Sequence, residues 1–146
     1  MSDSQKFPVA VHALLYLAHK GAVSAQAAVS SAELAASMPT NPVVVRRVTA
    51  MLGRASLIET RPGASGGAWL KTPIHAIRMD VVLHAVGGCA NLGCAPPGAR
   101  GCPVGEKIPD VVGQVLKAGS EAAAERLSRI TLADLLAEIT AAPDAA

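Results

Sequence analysis

The most reactive side chains in the chain are three cysteines, Cys89, Cys94 and Cys102, spaced C-x4-C-x7-C within a stretch rich in Gly, Pro and Ala. Three thiolates in one loop make a ligand set for an iron–sulfur cluster, with His84 or a distant acid as fourth donor. Zinc is a poorer match, because the C-x2-C knuckle of structural zinc sites is missing. The same thiols can instead sense oxidants, which requires an accessible cysteine near a resolving partner. They can also be small loop side chains that bind nothing, and spacing alone leaves these readings open.

A second group suits a polyanion. Arg46, Arg47 and Arg54 fall on one side of a predicted helix with Val43 and Ala50, while Val45, Val48, Leu52 and Ala55 fall on the other. A helix with one apolar face and one cationic face either carries solvated charges or meets phosphates. Other chemistry is poorly served. His12, His19 and His75 share no ligand spacing, and the chain has no Walker loop, dinucleotide fingerprint, Gly-x-Ser-x-Gly elbow or pair of acids at catalytic spacing. An enzyme is not expected.

These residues need elements to hold them. Apolar positions Phe7, Val11, Leu14, Leu15 and Ala18 predict a first helix over residues 5–19, followed by a small-residue linker over residues 21–29. Ser30, three positions before Glu33, is a capping-box start for a short second helix that Pro39 ends. Asn41 and Pro42 then cap and open a third helix, to about Ala55. The short break between the second and third helices is helix-turn-helix geometry. Residues 57–60 and 68–71 flank a Gly-rich turn from Arg61 to Gly67 and read as a hairpin, the wing of a winged helix, with Arg61 and Ser65 near its tip.

Beyond residue 73 a short helix is expected from Ile77 to Val86, then the cysteine loop. A long helix follows from about Val104, whose stripe Ile108, Val111, Val112, Val115 and Leu116 suits pairing with a second copy. Thr131 and Asp134 open a last helix. The expected fold is therefore mainly α with a small β-hairpin wing: a winged helix-turn-helix over residues 1–72, and a sensor loop with dimerisation helices over residues 73–146.

Composition agrees. The 146 residues are 51% hydrophobic but only 2% aromatic, so the core must be Ala, Val, Leu and Ile packed closely between helices. Charge is uneven: seven Lys and Arg oppose three Asp and Glu through residue 72, whereas six oppose eight thereafter. The basic half is the end expected to meet a polyanion. No apolar run reaches the roughly 18 residues of a membrane span. Met1 to Lys6 has no export-signal pattern, so a reducing cytoplasm and no membrane partner are expected.

The segments FPVAVHALLYLA, TNPVVVRRV, RPGASGGAWL and RITLADLLAEI, in that order over almost the whole chain, resemble the Rrf-type family of bacterial winged-helix transcription regulators, the IscR- and NsrR-like proteins. The resemblance implies a homodimeric regulator, a repressor, bound to palindromic double-stranded DNA. It implies contacts from Thr40, Asn41, Val43, Arg46, Arg47, Ala50, Arg54, Arg61 and Ser65, and a long C-terminal helix crossing to the partner. Cluster-binding members carry three cysteines near Cys89, Cys94 and Cys102, but at C-x5-C-x5-C, and the acidic ligand some of them use falls at Pro8. VAVHALL, TNPVVVRR and CPVGEKI are more similar to the cluster-free, YwnA-like branch, in which Cys102 is the shared cysteine. A cofactor-free regulator with a thiol or redox signal is therefore the expectation. The alternative is a sensor that binds an iron–sulfur cluster or other metal through the three cysteines, its winged helix serving mainly as a protein-interaction module.

Overall fold

A computed structural model describes residues 5–141; the first four residues, part of the stretch read for an export signal, lie outside them. Six helices and one hairpin follow in the order α1 (Lys6–His19), α2 (Ser31–Ala36), α3 (Pro42–Arg54), β1 (Ile58–Arg61), β2 (Gly67–Leu70), α4 (Met79–Ala85), α5 (Ile108–Ser128) and α6 (Leu132–Ala141). The expected winged helix-turn-helix, with a long helix after it, is what the chain forms.

The caps behave as their chemistry dictates. Ser30 Oγ accepts from the Glu33 amide at 3.1 Å, and Asn41 Oδ1 accepts from the Val43 amide at 2.8 Å, with Pro42 in the first helical position. Only half of the expected capping box forms. The Glu33 carboxylate turns instead to α1, where the Tyr16 hydroxyl donates to it at 3.1 Å and the Lys20 ammonium sits 3.1 Å away. Those two donors, Lys20 foremost, hold the Glu33 carboxyl below its ordinary range. One turn earlier, His12 Nε2 meets Ser37 Oγ at 3.1 Å. His12, Tyr16 and Lys20 recur every fourth residue, so one ridge of α1 grips both ends of α2.

The core is aliphatic, as the composition requires. Leu14, Leu17, Leu34, Val45, Val48 and Leu52 from α1, α2 and α3 are fully buried together with Ile58, Ile77, Val82 and Leu132. The last of these begins α6, so the chain's end returns to its beginning, and α6 packs on α1. Thr131 and Asp134 cap α6 reciprocally: the Thr131 amide donates to Asp134 Oδ2 at 2.8 Å, and the Asp134 amide donates to Thr131 Oγ1 at 3.3 Å. A backbone bridge between Arg78 and Thr131 stitches α6 to the start of α4.

Several boundaries differ from expectation. Ala55 is exposed, because it caps α3 instead of continuing its buried face. Ile77 and Arg78 are extended, committed to the bridge with α6, and α4 begins only at Met79. Residues 104–107 form turns before α5, which starts at Ile108. Residues 21–29 are more than a linker, because Val29 and Ala68 exchange backbone hydrogen bonds of 2.9 and 2.8 Å and the Leu70 amide donates to Ala22 at 2.7 Å. The hairpin thereby gains a third backbone partner, which an isolated two-stranded hairpin needs for stability.

Candidate nucleic-acid interface

The exposed side of α3 follows from its buried side. Burying Val45, Val48, Thr49 and Leu52 turns Val43, Arg46, Arg47, Ala50 and Arg54 outward, and all five are exposed. Asn41, with its side chain committed to the cap, is exposed at the helix start, and Thr40 beside it is half-buried. Among the described residues the charge on this face is uncompensated. The two carboxylates nearest in sequence are already taken, Glu33 by Lys20 and Glu59 by Lys71 at 3.5 Å, and among the described residues no acid pairs with Arg46, Arg47 or Arg54. Three guanidiniums thus project from a rigid helix toward solvent, a surface suited to phosphates and to the acceptor-rich edges of guanine.

The hairpin stands beside it. β1 and β2 pair antiparallel from Ile58 with Leu70 to Arg61 with Gly67, and the tip turns at Gly63, whose φ of +103° lies in the left-handed region. Arg61 is exposed, and its Nη2 donates to the Ser65 carbonyl at 3.2 Å, so the guanidinium is held against its own tip. An open cleft of about 630 Å³ separates hairpin from helix, lined by Ser31, Arg46, Ala50, Thr60, Arg61 and Gly66 among others. Helix, cleft and hairpin make one continuous surface with cations on both walls.

Replacing Arg61 by Ala is expected to weaken duplex binding while moving the melting temperature little, since one exposed hydrogen bond is lost and exposed substitutions usually change stability by about 0.5 kcal/mol or less. An equal loss in both measurements would give Arg61 a structural role.

The cysteines lie elsewhere, in the loop between α4 and α5, and all three are exposed free thiols. Cys89 and Cys94 line one open groove along α5 with Leu116, Lys117, Ser120 and Glu121. Cys102 sits in the turn before α5, where its Sγ accepts from the Gly105 amide at 3.3 Å. The loop is pinned to the helix between the first two cysteines: the Leu92 amide donates to Ser120 Oγ at 3.1 Å, and the Leu92 side chain lies over Gly119. Among the described residues no three of His, Cys, Asp and Glu gather into a set able to hold a metal ion. His84, the candidate fourth donor, is exposed on α4.

The long helix is exposed along much of its length. None of its 21 residues is buried, Val111 and Val115 are 59% and 67% exposed, and Ile108, Val112 and Leu116 are half-buried. Among the described residues no helix is long and apolar enough to cross a membrane.

Residues 3–138 match the family described as Rrf2, iron-dependent transcriptional regulator. The chain is 29% identical over 135 residues to YwnA of Bacillus subtilis (strain 168), assigned as an HTH-type transcriptional regulator, covering 91% of this chain and 96% of that one. Among solved structures, a transcriptional regulator from Lactobacillus plantarum superposes with a TM-score of 0.75 at 24% identity, covering 93% of this chain and 90% of the other. T. potens IscR superposes with a TM-score of 0.66 at 23% identity, covering 92% and 85%.

Proposed function

The chain belongs to the Rrf2 family of DNA-binding transcriptional regulators, proteins without enzymatic activity, and on that premise we propose that it is a dimeric repressor of the bacterial cytoplasm. It acts on a palindromic operator in double-stranded DNA. Residues 1–72 form the DNA-binding part. The outer face of α3, with Val43, Arg46, Arg47, Ala50 and Arg54, enters the major groove, Thr40 and Asn41 contact the strand at its start, and Arg61 and Ser65 reach the neighbouring minor groove. Residues 73–146 carry the loop of Cys89, Cys94 and Cys102, which receives a thiol or redox signal, and the dimer face of Ile108, Val111, Val112, Val115 and Leu116. A dimer that covers both half-sites represses by excluding other proteins from that DNA.

The observation that carries this reading is the set of three guanidiniums on α3 that have no carboxylate partner among the described residues, while the nearby acids are neutralised by lysines. Folding has no use for such an arrangement, and phosphate neutralisation does. Replacing Arg46 or Arg47 by Ala is expected to cost about 1–3 kcal/mol of specific binding where the side chain reads a guanine edge, and to flatten the salt dependence where it meets phosphate. Titrations of binding against salt on specific and random duplex distinguish the two. Unchanged affinity in both variants would remove α3 from the interface.

A further inference from the structure

Three consecutive valines open α3 and meet three different environments. Val45 is fully buried, Val44 is half-buried against the core, and Val43 is 60% exposed. The fold makes no use of the Val43 isopropyl group: the residue contributes its amide to the Asn41 cap, which any residue but proline would do, and a β-branched side chain gives a helix no propensity advantage. Its place on the outer face is specific. At about 100° per residue, Val43, Ala50 and Arg54 lie close to one line along the helix, whereas Arg46 and Arg47 flank that line by roughly 60° and 40° on opposite sides. The outer face therefore has an apolar centre at Val43 and Ala50 and cationic flanks.

A helix seated in a major groove turns its centre line to the floor and its flanks to the walls, and the residues nearest its N-terminus reach deepest. The floor offers one apolar group, the C5-methyl of thymine. Resting on the DNA-binding reading above, we propose that Val43 packs on a thymine methyl, so that each operator half-site carries a thymine at a fixed place. The rise from Val43 to Arg46 and Arg47 is about 4.5–6 Å, or one to two base-pair steps of about 3.4 Å, which puts that thymine beside the base or phosphate met by these arginines.

The probe is the duplex that the wild-type protein selects from a random-sequence pool, resynthesised with each thymine in turn replaced by deoxyuridine, which removes the methyl and leaves every hydrogen-bonding group. One position per half-site is expected to lose about threefold to fivefold in affinity, the worth of one buried methyl. At that position the Val43→Ala variant, weaker on the thymine duplex, should bind both duplexes equally. Thymine and deoxyuridine bound alike by the wild type at every position would overturn the proposal, as would a Val43→Ala variant that keeps the wild-type preference. Arg46→Ala and Arg47→Ala report separately: if they abolish binding while Val43→Ala retains the methyl preference, α3 remains the reading helix and only the thymine contact fails. A wild-type protein that selects no duplex overturns both.

Discussion

If the proposed dimer forms through α5, a Val115→Asp variant is expected to sediment as a monomer under conditions where the wild-type protein sediments as a dimer, and to lose most of its duplex affinity. Val111 and Val115 stand one turn apart on a helix about 30 Å long that buries none of its residues, and its packing within the chain is confined mainly to α4 and the cysteine loop. Leu92, held over Gly119 one turn further on and 62% exposed, extends the same apolar line. A continuous apolar strip of this kind marks an interaction surface. If a second copy covers it, two-fold symmetry places the new carboxylate in the seam twice, and each unpaired buried charge costs several kcal/mol.

Operator binding should fall with the dimer, because joined winged helices bind their two half-sites at high effective concentration and separated ones do not. Ala124→Asp, an exposed position on the opposite side of α5, is the control and should leave both properties unchanged. A Val115→Asp protein that stays dimeric with undiminished binding would move the interface away from this stripe.

The parts of the fold legible in the sequence are those fixed by neighbours along the chain. Ser30, Asn41 and Thr131 start helices because their side-chain oxygens reach amides two or three residues away, and the two faces of α3 follow from helical period alone. The parts not legible there depend on distant backbone. Nothing in the small residues before Val29 signals a strand, and the Val29 backbone pairs with Ala68 where the missing side chain of Gly67 leaves room for it to approach. Glu33 has the right spacing for a capping box, but an ammonium and a phenol on α1 compete for its carboxylate and win. In the cysteine loop Gly and Pro erase any periodicity. The grouping of Cys89 with Cys94 along α5, and the docking of Leu92 between them, were therefore beyond reach of pattern, although exposed thiols in an irregular loop were not.

The approach of the hairpin to Val29 gives a result that separates folding from binding within two adjacent residues. A Cβ at position 67 would lie 2.5 Å from the Val29 carbonyl oxygen and 2.7 Å from its carbon, both backbone atoms that cannot swing aside. Gly67→Ala must therefore push residues 22–29 off the hairpin and weaken the Val29–Ala68 pair, beside buried Ala68, Leu70 and Ile58. Overpacking of this kind costs about 1–3 kcal/mol, and each hydrogen bond lost adds about 1. The variant should melt well below wild type. At position 66 the obstruction is as severe but local: the Cβ would lie 2.0 Å from the Arg61 carbonyl oxygen, within the tip itself. Gly66→Ala has to open the tip and displace Arg61 and Ser65, yet it touches no buried side chain. Its melting temperature should stay nearer to wild type while operator affinity drops at least as far as in Arg61→Ala. The measurement is thermal melting and duplex titration on both variants. If Gly66→Ala binds the operator like wild type, the hairpin tip lies outside the DNA contact, and its arginine serves only to close its own turn.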